Sequence, residues 1–112
     1  KLTSQFSNMI FKICGLKSKE SLICCEKNNL SGLVCSPLEI NIVRKEVGKK
    51  MILVVPGIRL EKNSLNEKDD QKRTLTPNEA ITLGADFLVI GRPIIESRNP
   101  LETIKKINQS IQ

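Results

Sequence analysis

A chain of 112 residues suffices for one domain and lies at the low end for a parallel α/β enzyme, while its formal net charge of +6 favours an anionic ligand or surface without dictating a fold. There is no Trp or Tyr and only three Phe (Phe6, Phe11, Phe87), so the base-stacking platforms of single-strand nucleic-acid sites are missing and nucleic acid is not an expected partner. There is no His, and Cys14, Cys24, Cys25 and Cys35 form no Cys-x-x-Cys pair, which argues against a metal site and for free buried thiols in a reducing cytoplasm. No apolar run approaches membrane-spanning length and Lys1-Leu2-Thr3-Ser4 does not begin a signal peptide, so a cytoplasmic chain without a membrane partner is expected.

In chain order, Leu2-Thr3 reads as the tail of a strand. Gln5 to Leu16 carries no cap or turn signal before Gly15, and Phe6, Met9, Ile10 and Phe11 are compatible with a short helix packed on a neighbour. A helix is expected from Lys17 to about Asn29. Gly32-Leu33-Val34-Cys35 is a short apolar strand that runs into Ser36-Pro37-Leu38-Glu39. That tetrapeptide combines a Ser cap, Pro at the first helical position and Glu three residues after the cap, a pattern in which side chains and backbone donors satisfy one another. A helix should follow to about Val47 and close at Gly48. Met51 to Val55 is the next strand, ended by Pro56-Gly57, and a long polar stretch runs from there to Leu75. The capping pattern returns as Thr76-Pro77-Asn78-Glu79, opening a helix that stops at Gly84. Phe87 to Ile90 is too short for a helix and, being continuously apolar, is expected as a strand buried on both faces. Asn99-Pro100-Leu101-Glu102 opens a last helix, with Leu101, Ile104, Ile107 and Ile111 at helical spacing.

Strands followed by similarly capped helices describe about four parallel β-α units. Buried parallel strands need partners on both edges and four units cannot close a barrel of eight, so the chain is expected to be half of a larger structure.

Two places carry candidate chemistry. Gly91-Arg92-Pro93 directly follows the last strand: glycine lets a ligand approach the backbone, and arginine offers a planar fork of donors for phosphate or carboxylate. In eight-stranded β/α barrels, phosphate sites lie after the last two strands. The second place is the long stretch after Pro56-Gly57, where Arg59 sits just past a strand end and Gln71 can donate from an uncharged amide. Spacing alone is equally compatible with Arg59 and Gln71 as solvated loop residues.

Taken together, Leu2-Thr3-Ser4, Gly32-Leu33-Val34-Cys35-Ser36, Val55-Pro56-Gly57-Ile58-Arg59, Asp70-Gln71-Lys72-Arg73, Thr76-Pro77 and Ile90-Gly91-Arg92-Pro93 occur in an order that resembles bacterial orotidine 5′-phosphate decarboxylases. The resemblance covers nearly the whole chain, and its specificity comes from the combination of motifs. It implies the C-terminal half of a TIM (β/α)8 barrel, with residues 1–112 as part of a single barrel domain of a cytoplasmic homodimer. It implies conversion of orotidine 5′-phosphate to UMP and carbon dioxide in pyrimidine biosynthesis, without metal or organic cofactor. By the same resemblance Arg59, Gln71 and Arg92, with the backbone of Gly91, hold the 5′-phosphate; Thr3 contacts substrate and Ser36 reads the pyrimidine edge. The stretch from Gly57 to Lys72 corresponds to a loop that closes on the phosphate. The family's Asp-x-Lys-x-x-Asp catalytic run is not in this sequence, and Asp69-Asp70-Gln71-Lys72 has different spacing, so no catalytic residue is assigned here. The rival expectations are another phosphate-binding barrel enzyme, or an inactive remnant or binding module of the same fold.

Overall fold

The computed structural model describes residues 11–13, 27–60 and 74–112. Among the described residues, four strands form one parallel sheet in sequence order: β1 (Phe11–Ile13), β2 (Gly32–Val34), β3 (Ile52–Val55) and β4 (Phe87–Leu88). The helices are α1 (Ile40–Val47), α2 (Pro77–Leu83), the single turn α3 (Arg92–Ile95) and α4 (Pro100–Ser110), with a 3₁₀ turn at Pro37–Glu39 leading into α1. Phe11, expected in a short helix, instead begins β1 and pairs in parallel with Gly32. The expected strand at Leu2-Thr3 and the helix from Lys17 to residue 26 lie outside the described residues.

Local chemistry sets the helix boundaries. The Ser36 N–H donates to Glu39 Oε2 (2.9 Å) and the Thr76 N–H to Glu79 Oε2 (2.9 Å), so each acidic side chain satisfies a backbone donor ahead of its own helix. Asn99 Oδ1 accepts from the Glu102 N–H at 3.2 Å to start α4. Gly84 ends α2 at φ +119°, and the Ala85 N–H then reaches back to the Ala80 carbonyl at 3.0 Å, the long bond of a Schellman-type stop.

Strand register divides the sheet into two faces. Leu33, Leu53 and Val55 are fully buried on one face, under α1 and α2, where they pack with Ile40, Val43, Val47 and Ala80. The register places Leu88 opposite Val55 on that same face. Cys35, also in this core, is not in a disulfide. Val34, Ile52, Val54 and Phe87 share the opposite face by register and are only half-buried or exposed.

This corrects the expectation for Phe87 to Ile90. Regular pairing is limited to Phe87–Leu88, and burial alternates: Leu88 and Ile90 pack on the core, whereas Phe87 is 44% and Val89 53% exposed. A continuous apolar run allows burial on both faces, but here α1 and α2 supply a cover for only one. The last helix, α4, forms where its cap and apolar spacing predict. Ile107 is buried where α4 lies against α2, while Leu101 is 73% exposed.

Below the strands, at their amino ends, Arg44 of α1 joins four chain segments. Its Nε donates to the Gly84 carbonyl (2.8 Å) and its Nη1 to the carbonyls of Gly48 (2.8 Å) and Met51 (2.7 Å). Its Nη2 pairs with Asp86 Oδ2 at 2.5 Å, and that oxygen also accepts from the Leu53 N–H at 2.8 Å. The Asp86 N–H in turn donates to the Leu53 carbonyl at 3.0 Å, so one aspartate brackets Leu53 at the entry to the β3–β4 ladder. A Cβ on Gly84 would come within 2.8 Å of Arg44 Cγ, so the helix stop and the arginine occupy adjoining space.

In the intact protein, Arg44→Met should lower stability by about 2–3 kcal/mol, because it leaves several carbonyls and a carboxylate without their charged donor. Asp86→Asn, which keeps an acceptor for the Leu53 N–H, should cost less. Urea unfolding monitored by circular dichroism checks both, and equal midpoints for Arg44→Met and the parent would contradict the assignment.

Candidate functional site

A cleft of about 680 Å³ opens at the other end of the sheet, where β3 and β4 give out. Pro56 to Leu60 leave β3 on one side, Val89 and Gly91 to Pro93 leave β4 on the other, and Thr74 and Glu96 complete the described wall. The two sides are held in step by backbone bonds. Val89 N–H donates to the Val55 carbonyl and Arg59 N–H to the Leu75 carbonyl, each at 3.0 Å.

On the β3 side, Gly57 turns the chain at φ +75°, a conformation that favours glycine. Ile58 then enters the core at 3% exposure, which anchors the segment and leaves the next side chain, Arg59, exposed at the cleft. A Cβ on Gly57 would lie 3.8 Å from Pro37 Cδ, so the 3₁₀ turn after β2 abuts the cleft floor from below.

On the β4 side, the Gly91 carbonyl accepts from the N–H groups of Ile94 (2.9 Å) and Ile95 (3.1 Å), and the Arg92 carbonyl accepts from Glu96 (2.9 Å). These bonds fix the turn that carries Arg92. A Cβ placed on Gly91 would meet nothing within 4 Å, so the backbone there borders open space. Gly91 and Arg92 are both exposed.

Arg59 and Arg92 therefore wall one cleft from two different strand ends. Among the described residues neither guanidinium has a side-chain hydrogen bond or ion pair. Two unneutralised guanidinium groups beside an accessible backbone form a receptor for an anion with several acceptor oxygens, since arginine's planar fork matches phosphate bidentately.

Of the residues singled out from sequence, Arg59, Gly91 and Arg92 are brought to this cleft. Ser36 stands at the carboxyl end of β2, exposed, and is not part of the cleft wall, although its neighbour Pro37 touches the floor. Thr3 and Gln71 lie outside the described residues. Sequence reading overlooked Thr74, which enters the wall because the Arg59–Leu75 backbone bond draws the two chain segments together. It also overlooked Glu96, whose signal was present in its position four residues after Arg92.

Comparison with known proteins bears on the whole of this arrangement. The model of the family described as "Orotidine 5'-phosphate decarboxylase / HUMPS family" matches residues 8–107. The orotidine 5′-phosphate decarboxylase of Glaesserella parasuis serovar 5 is 48% identical over 87 residues, covering 78% of this chain and 36% of that protein. The orotidine 5′-phosphate decarboxylase of Coxiella burnetii (strain RSA 331 / Henzerling II) is 42% identical over 107 residues, covering 90% of this chain and 44% of that protein. The chain thus spans roughly two fifths of the length of these curated relatives.

Among solved structures, the orotidine 5′-monophosphate decarboxylase of Sulfolobus solfataricus matches with a TM-score of 0.69 at 21% identity, covering 98% of this chain and 51% of that one. The Lactobacillus acidophilus orotidine 5′-phosphate decarboxylase gives 0.64 at 21% identity, with 93% and 49% covered. At that identity the likeness speaks to fold. The neighbours are TIM barrels, and this parallel α/β chain covers about half of each.

If the open space at Gly91 belongs to a ligand, Gly91→Ala in the intact protein should leave the urea midpoint unchanged and weaken binding of inorganic phosphate by roughly tenfold, about 1.4 kcal/mol. Calorimetric titration alongside unfolding separates the two effects; unchanged phosphate affinity would remove Gly91 from the site.

Proposed function

The chain belongs to the orotidine 5′-phosphate decarboxylase / HUMPS family, and from that premise we propose that it is the phosphate-gripping, C-terminal half of a barrel enzyme converting orotidine 5′-phosphate to UMP and carbon dioxide. The observation that carries the proposal is the convergence of Arg59 and Arg92 on one cleft at the carboxyl ends of β3 and β4. Identities of 42–48% to curated proteins named decarboxylases support this reading over a different phosphate-binding barrel enzyme.

In this proposal the 5′-phosphate sits between the Arg59 and Arg92 guanidinium groups and against the backbone at Gly91, with Gln71 as a further donor. Thr3 contacts substrate, and Ser36 reads the edge of the pyrimidine ring. The enzyme works as a cytoplasmic homodimer in pyrimidine biosynthesis and needs no metal or organic cofactor. The proton that replaces carbon dioxide on the ring comes from the part of the barrel outside these 112 residues, because no Asp-x-Lys-x-x-Asp run occurs in this sequence.

A phosphate far from the bond being broken contributes to rate when its binding energy is expressed in the transition state rather than in ground-state affinity alone. Two cationic anchors on separate strand ends suit that role, because one bound group then draws both sides of the cleft into a single geometry.

Assay of the native-length protein with orotidine 5′-phosphate tests the function directly. Decarboxylation to UMP is expected from that protein and none from the 112-residue chain alone. In the native-length enzyme, Arg92→Ala should lower kcat/KM by about 30-fold to 1,000-fold, corresponding to about 2–4 kcal/mol of lost transition-state stabilisation. Undiminished efficiency toward the nucleotide would remove Arg92 from the phosphate site.

A further inference from the structure

Among the described residues that wall the cleft, Glu96 is the one acidic side chain, set beside Arg59 and Arg92. It stands four positions after Arg92 across the α3 turn, a spacing that puts the two side chains on the same face of the helical backbone. The turn itself uses only the Glu96 backbone, whose N–H donates to the Arg92 carbonyl at 2.9 Å. The side chain is exposed, so its charge is not needed by the core. Among the described residues no ion pair joins it to Arg92.

A carboxylate at the edge of an anion receptor works against every anion that enters, and the repulsion grows with the anion's charge and its nearness. A cleft shaped for grip alone would have an amide or a hydroxyl there. One phosphate between two guanidinium groups roughly balances their charge; a second phosphate finds no further cation among the described wall residues and meets the carboxylate instead. Discrimination achieved by penalising the wrong ligand is a general route to specificity.

We propose that Glu96 is a specificity-determining residue that restricts this cleft to ligands carrying a single phosphate group and rejects those carrying a diphosphate. The proposal rests on the reading of the cleft as a nucleotide 5′-phosphate site, and deepens it.

The test is an equilibrium titration of the intact protein at low ionic strength with inorganic phosphate, pyrophosphate, UMP and UDP, using the parent, Glu96→Gln and Glu96→Ala. In the parent, phosphate and UMP should bind more tightly than pyrophosphate and UDP. Both variants should narrow each gap by about threefold to tenfold, and the narrowing should shrink in high salt as the charge is screened. Gaps that stay within twofold of the parent in both variants overturn the proposal. Narrowing seen with the two inorganic anions, while no form of the protein binds UMP, would uphold the role of Glu96 and overturn the nucleotide reading instead.

Discussion

The guanidinium of Arg44 holds in place the chain segments from which the rest of the structure is hung. By donating to Gly48, Met51 and Gly84 and pairing with Asp86, it ties the end of α1, the entry to β3, the end of α2 and the entry to β4 into one cluster. Each of those segments is a turn whose backbone acceptors would otherwise rely on water. With the amino ends of β3 and β4 locked at a fixed offset, their carboxyl ends emerge side by side, and Arg59 and Arg92 follow them to the same cleft. The clamp and the cleft lie at opposite ends of the strands, the division of labour common to β/α barrels, in which one rim secures the framework and the other carries the ligand.

The features that the sequence made legible are those decided within about four residues. Ser36, Thr76 and Asn99, each followed by Pro and then Glu, mark helix starts because cap and acidic partner meet inside one turn. Gly84 marks a stop because left-handed backbone favours glycine. The anion-binding character of the cleft was readable at Arg92, which comes just after an apolar strand broken by Gly, while spacing alone left Arg59 equally compatible with a solvated loop. Arg44 and Asp86 were not readable as partners, because they are 42 positions apart and no local pattern relates them. The burial of Phe87 and Val89 was misjudged because burial is decided by what lies opposite an apolar side chain, not by the run in which it occurs. Phe11 was misread for a related reason: its strand character comes from pairing with Gly32, a neighbour distant in sequence.

The two faces of the sheet give physical content to the finding that this chain covers about half of its structural neighbours. One face is finished, with Leu33, Leu53 and Val55 sealed beneath helices. The other presents Val34, Ile52, Val54 and Phe87, side chains of the type that fill the inside of a closed barrel in interlocking layers. A barrel interior is shared property, since each layer is made by strands from around the whole circle. The described strands contribute their side chains to such layers without being able to complete one, whereas each helix-covered patch of the outer core is complete within its own β-α units.

The bond from the Arg59 N–H to the Leu75 carbonyl has a longer reach than its 3.0 Å suggests. It fixes the two ends of the segment between them at one point on the rim, so the framework registers only that those ends meet. For a connection whose ends are fixed, the cost of closure grows with the logarithm of length, about 0.6 kcal/mol for each doubling. Lengthening, shortening or rewriting the residues between Arg59 and Leu75 is therefore nearly neutral for β3 and α2. The strand ends that carry Arg59 and Arg92 keep their positions whatever the length of that connection.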